Sequence, residues 1–292
     1  MTKLSERAML VGLHIGTYSG MQVDKLVSEE ISASYKADVK KAGRFNKRLI
    51  DSRFLAGVSG AHFNARTTHK LLTLPWEDDG TRILTTAAYI EYVRKMKEAR
   101  ARVENEVKEF VKGLPEYITE ARIRLGNMFV EEDYPTEDEL RSKFKYDVEV
   151  KPLPEASDFR AQLSDEATKH ITKDIERRIN RKMETAINDI FERVAERVGA
   201  LVKKLREYQP ASGDQKANGV LRTELVHNIY EFANMMPLLN VTDDPRVNAL
   251  QKQLVDELVE FSPVILRTDA KIRAQVLSNA DKILRKVQGY MK

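Results

Sequence analysis

SDEATKHITKDIERRINRKMETAINDIFERVAERVGALVKKLREY, residues Ser164 to Tyr208, is the stretch that decides the fold. No proline interrupts it, and Gly199 is its single glycine. Ser164 suits an N-cap, and Asp165 and Glu166 place negative charge where the helix dipole favours it. Apolar residues then recur at Ala167, Ile171, Ile175, Ile179, Met183, Ile187, Ile190, Val194, Val198, Leu201, Leu205 and Tyr208. The early steps are all of four residues, and steps of three enter from Ile187 onwards. Four exceeds the roughly 3.6 residues of a helical turn, so the stripe drifts around the axis and meets successive neighbours. At about 1.5 Å per residue the helix spans roughly 67 Å, longer than a compact domain is wide. Ile187, Val194, Val198 and Leu201 are therefore expected to offer a stripe for a partner or for a second copy of the chain.

Working outward, a second periodic helix is expected over 82–113. Tyr89, Val93, Met96, Arg100, Val103, Val107, Phe110 and Leu114 form a heptad seam interrupted once by Arg100, and Gly113 and Pro115 stop it. It is shorter than the long helix by about a dozen residues and is the expected neighbour of that helix. Further helices are expected over Val23–Tyr35, Ser52–Leu72, Glu116–Leu125, Leu221–Met236, Pro245–Glu260 and Asp269–Gln288. Gly126 suits a C-terminal stop, and Thr136 with Glu139 matches a capping box. MLVGLHIGTY (Met9–Tyr18) is apolar and β-prone, and FKYDVEVKPL (Phe144–Leu153) alternates apolar and charged residues. The expected fold class is mainly α: a long helical hairpin with a coiled-coil-like core, extra helices and a small two-stranded β ribbon. An N-terminal α+β part, 1–160, joins an all-helical part, 161–292, as one continuous unit. QPASGDQKANG (Gln209–Gly219) is the one linker-like segment.

Composition narrows the function classes. The 292 residues are 42% apolar and 32% charged, enough for a core under a heavily solvated surface. No cysteine is present, which removes disulfides, thiol catalysis and cysteine-bound metals. No apolar run is long enough for a membrane span, and the N-terminus lacks a signal-peptide pattern. A cytoplasmic protein is expected.

Candidate chemistry is sparse. HExxH, GxSxG, GxxxxGK[ST] and GxGxxG patterns are absent, so no catalytic residue, metal or cofactor is assigned. His62 and His69 lie seven apart, unlike the usual helical metal pair. The acids Glu131, Glu132, Asp133, Glu137, Asp138 and Glu139 read either as a cation site or as a solvated loop. Trp76 in LPWEDDG either anchors a partner or packs its loop on the core. The charge distribution is more informative. Between Lys36 and Lys70 stand nine basic residues against Asp38 and Asp51, so this segment exceeds the whole chain's net charge of +4. Within it Lys40, Lys41, Arg44, Lys47, Arg48, Arg53 and Arg66 interleave with Phe45, Phe54 and Phe63. Cations neutralise phosphates and aromatics stack on unpaired bases, so the mix suits single-stranded DNA or RNA. The same residues also read as a core of phenylalanines under a basic face that is either solvated or complementary to the acidic 131–139 segment.

Five stretches together resemble a family found in tailed phages, integrative elements and some bacterial genomes. They are the N-terminal strand, GRFNKRLID (Gly43–Asp51), LPWEDDGTRILTTAAYIEYVRKM (Leu74–Met96), EDYPTEDELRSKFKYDVEVKPLP (Glu132–Pro154) and MPLLNVTDDPRV (Met236–Val247). These motifs carry packing and turns, so the resemblance transfers no catalytic residue. Genes of the family often lie beside a MoxR-like AAA+ ATPase and a von Willebrand factor A-like protein, or among recombination genes. The resemblance implies an accessory role in a phage or mobile-element operon, with the AAA+ ATPase or the von Willebrand factor A-like protein as a candidate partner. The over-long helix with its apolar stripe adds the expectation of a non-enzymatic interaction protein that self-associates. Nucleic-acid binding through 36–70 and a role as a virion component are the alternatives.

Overall fold

A computed structural model describes residues 4–155, 165–210 and 221–291. The expected cap Ser164 and most of the linker-like segment lie outside the described residues. Helix α1 (Leu4–Arg7) leads into strand β1 (Ala8–Gly16). Strands β2 (Met21–Asp24) and β3 (Phe45–Arg48) flank helices α2 (Lys25–Ser34) and α3 (Val39–Ala42). Helix α4 (Ala56–Leu71) precedes the short strands β4 (Leu74–Pro75) and β5 (Arg82–Thr85). Then come α5 (Tyr89–Lys112), α6 (Leu114–Leu125), α7 (Glu137–Lys143) and β6 (Lys145–Pro152). The rest is helical: α8 (Asp165–Glu207), α9 (Thr223–Leu239), α10 (Pro245–Leu254), α11 (Pro263–Thr268) and α12 (Ala270–Tyr290). A π-helical stretch, Val255–Val259, continues α10.

The chain is mainly helical, as its composition implies. Its β content exceeds the expected ribbon. Strands β1 and β6 are neighbours in a four-stranded sheet of order β4-β5-β1-β6, and β2 and β3 make a separate antiparallel pair. Two-residue β4 and four-residue β2, β3 and β5 are too short to show a period of two. Local stops are as expected: Thr136 and Glu139 exchange both capping-box hydrogen bonds, and Gly126 sits at φ 54° after α6.

The described fold forms two interleaved compact units. Met1–Gly12, Lys70–Tyr92 and Val150–Lys292 make the first, and Leu13–His69 with Val93–Glu149 make the second. Helix α8 belongs to the first unit, where it packs on α12, α9 and β4. The pairing of the long helix with 82–113 is therefore replaced by α12 and α9. The seam is also broader than one residue wide. Ala186, Phe191 and Val202 are buried beside Met183, Ile187, Ile190, Val194, Val198, Leu201 and Leu205, which gives α8 two flanks to cover. Val276, Ala280, Ile283 and Val287 of α12 and Ile229, Phe232 and Met236 of α9 share that core.

Ile187, Val194, Val198 and Leu201 are consequently core residues, exposed by 4%, 1%, 0% and 1%, and not a stripe open to a partner. Each such side chain contributes about 1.5–3 kcal/mol by leaving water. By contrast, none of the described side chains from Glu166 to Lys182 is buried. In the second unit the later heptad positions Val103, Val107, Phe110 and Leu114 pack with Val58, Ala61 and Ala65 of α4 and with Leu49, Ile50 and Leu140. The heptad thus serves a mixed core.

Candidate interaction surface

Residues 21–48 fold as a module in which α2 and α3 are inserted between two paired strands. Met21 faces Arg48, Gln22 faces Lys47, Val23 faces Asn46 and Asp24 faces Phe45 across the pair. Asp24 ends β2 and caps α2 by accepting from the Val27 amide at 3.1 Å. That hydrogen bond is the main reason its carboxyl is held below the usual range. At the other end of α2, the Ala37 amide donates to Ser32 O at 2.8 Å and the Lys36 amide to Ala33 O at 3.1 Å. This closure puts Lys36 in the left-handed region, φ 53°, and turns the chain into α3.

Lys47 holds the module down. Its ammonium lies 2.6 Å from Asp133 and 3.2 Å from Asp24, donates to Met128 O at 3.0 Å, and is only 4% exposed. Burial alone would lower its pKa, but the hydrogen bonds it donates to Asp133 and Asp24 outweigh this and hold it above its ordinary value. Gln22 Nε2 adds a 2.8 Å bond to Asp133. Lys47 is therefore a structural cation whose charge is already matched, and not a contact for phosphate.

Helix α2 is arranged with small polar residues inward. Ser28 and Ser32 are buried. Ser28 Oγ donates to Asp24 O and accepts from the Phe45 amide at 2.9 Å, while Ser32 Oγ donates to Ser28 O at 2.8 Å. These bonds satisfy the buried hydroxyls and draw β3 close to the helix. The large apolar residues are left outward: Leu26 is 73% exposed, Ile31 44% and Tyr35 80%, with Met21 and Val23 also exposed. Beside them opens a cavity of about 330 Å³ lined by Ile31, Tyr35, Ala37, Ala42, Arg44 and Phe45, with Ser28, Ser32 and Gly43. Lys36, Lys40, Lys41 and Arg44 are exposed. Among the described residues these four make no ion pair.

The remaining basic residues do not join this surface as one stripe. Arg48 is half-buried, and its carbonyl accepts from Arg124 at 2.9 Å. Arg53 lies over the Phe54 ring at 4.6 Å and 3.8 Å from Glu120, while Phe54 stacks on Tyr117 at 4.2 Å. Arg66 and Phe63 are exposed on α4. The interleaving in sequence is thus divided between a cavity wall, a packed stack and a helix surface. The acidic segment is divided in the same way. Asp133 pairs with Lys47, Glu131 meets Arg122 at 3.0 Å, and Glu139 serves the cap of α7.

Trp76 packs against the core of the first unit instead of standing free for a partner. The Lys182 ammonium sits 5.1 Å from its ring centre and donates to its carbonyl at 2.8 Å, which fixes the loop on α8. Sequence reading missed a second fastening there. Arg193 pairs with Asp189 at 2.6 Å and donates to Leu71 O and Thr73 O at 3.2 and 2.9 Å. Arg82 donates to Thr73 Oγ1 at 2.7 Å, and Arg197 covers the Phe232 ring at 4.4 Å. Burial and the nearby Arg193 push Arg82 down to about 10, and burial raises Asp189 against the pull of Arg193, Arg82 and Arg197. The four-residue spacing of Asp189, Arg193 and Arg197 was the available signal. These cations are satisfied by protein carbonyls and act as staples.

Among the described residues, no group of three His, Asp or Glu side chains is placed to share a metal ion. No described helix is long and apolar enough to cross a membrane. Comparison with protein-family models, curated proteins and solved structures finds no match to this chain.

Proposed function

We propose that this chain is a non-enzymatic accessory protein of a phage or mobile element that acts by docking a protein partner on the 21–48 module. The observation that carries this reading is the open cavity walled by Ile31, Tyr35 and Phe45, with Ile31 and Tyr35 exposed at its edge. Contiguous exposed apolar residues mark interaction surfaces. The exposed aliphatic side chains Met21, Val23, Leu26 and Ile31 favour a protein partner, since unpaired bases gain most from aromatic stacking. Tyr35 is the one exposed aromatic among the described residues of the module. The family resemblance makes an AAA+ ATPase or a von Willebrand factor A-like protein the first partner to try. Each neighbouring gene product, purified, is titrated calorimetrically with the wild type and with Ile31→Asp and Tyr35→Asp. Binding by the wild type that both variants lose, at unchanged melting temperature, supports the reading. Equal binding by all three forms rejects it.

Nucleic-acid binding is favoured by one separate observation, the unpaired cluster Lys36, Lys40, Lys41 and Arg44 beside Tyr35. A mobility shift of single-stranded oligonucleotide that weakens with salt and vanishes in Lys40→Glu/Lys41→Glu/Arg44→Glu supports it. Absence of a shift at low salt ends it.

A further inference from the structure

We infer that the groove between α2 and the α3–β3 turn takes a short acidic peptide segment carrying one large apolar side chain, which enters the cavity while flanking carboxylates meet Arg44, Lys40 and Lys41. This inference rests on the protein-docking reading above and names the chemistry of the partner.

Three features select such a ligand. The cavity, about 330 Å³, has room for a bulky side chain and is too small for a whole helix face. Its wall of Ile31, Tyr35, Ala37, Ala42 and Phe45 is apolar. The hydroxyl protons of Ser28 and Ser32 are already given to Asp24 O and Ser28 O, so the serines offer an entering group no spare donor. An apolar side chain loses nothing there, whereas an entering acceptor such as a carboxylate would be left unmatched.

Polar selection must then come from the rim. Arg44 lines the cavity, and Lys36, Lys40 and Lys41 stand exposed on the same connection between α2 and β3. The nearby carboxylate of Asp38 is engaged by the Lys40 amide at 2.9 Å. Glu29 and Glu30 are exposed on α2, so the free cations gather on the α3 side. A guanidinium with no acid of its own favours a carboxylate in fork geometry. The ligand read from these features is an aromatic or leucine residue with Asp or Glu beside it.

The test is a selection of random displayed peptides on the full chain, followed by calorimetry of the best synthetic sequence. The expected result is enrichment of one Leu, Phe or Trp flanked by acids, with affinity that falls as salt rises. Arg44→Glu should weaken that peptide about tenfold or more, the size of a lost charge-assisted hydrogen bond. Ala42→Trp, which fills the cavity, should abolish binding at an unchanged melting temperature. Selected peptides without acids, or an affinity indifferent to Arg44→Glu, overturn the inference. If such peptides still lose binding in Ile31→Asp, the docking reading survives while this chemistry falls. Recovery of no peptide, or displacement of the peptide by single-stranded oligonucleotide, overturns it as well.

Discussion

Lys47 carries a heavy electrostatic duty for one side chain, because two carboxylates and a carbonyl converge on it out of water. Truncating one member of a buried charge set leaves the others uncompensated. Lys47→Met is expected to cost about 3–5 kcal/mol, read from urea unfolding, and Asp24→Asn/Asp133→Asn in the same chain should recover part of it. Sequence showed the charge of Lys47 and hid its burial. Phe45 and Lys47 share one face of β3, but a four-residue strand is too short to be read from the sequence. His62 sets a second prediction. It is buried in α4, its Nε2 has no hydrogen-bond partner among the described residues, and burial together with Arg66 lowers its pKa. The folded state therefore disfavours protonation, while the unfolded histidine protonates near its ordinary value of about 6.5. Stability contributed by His62 is full above that pH and declines as pH falls through it towards the lowered folded value. Urea midpoints at pH 7.5 and 5.5 should show the decline, and His62→Leu should flatten it.

At the scale of elements, α8 was the most legible because its period runs for so many turns. The periodicity located its span within a residue or two but did not name its neighbours. A drifting stripe requires more than one neighbour, and only the apolar faces of α9 and α12 decide which. Phe191→Ala is expected to destabilise the chain by about 3–5 kcal/mol, as a cavity in a packed core does. The same helix should not behave uniformly. Amide hydrogen exchange is expected to be faster over 166–182, where no described side chain is buried, than over 183–205. Equal protection along the helix would contradict this. Helix α2 was located from sequence, but its inverted face was not. Only contact with β3 decides that Ser28 and Ser32 go inside, and β3 was itself too short to be recognised.

For the whole molecule, fold class and solvated character followed from composition, while the interleaving of two units did not. Sequence periodicity is local, and the first unit gathers Ala8, Leu10, Leu74 and Ile83 with residues beyond 150. A fragment 161–292 lacks these core residues and is expected to aggregate or to melt without cooperativity. A fragment 13–149 contains the entire second unit and should retain a cooperative transition by circular dichroism. The alternation also sets an order of events during synthesis. Residues 13–149 leave the ribosome before the helices that complete the other core exist, so the second unit can mature while the apolar side chains of β1, β4 and β5 wait uncovered. A nascent chain with such an interval is a natural client for chaperones, and slowing translation after residue 150 should lower the soluble yield more than slowing it earlier.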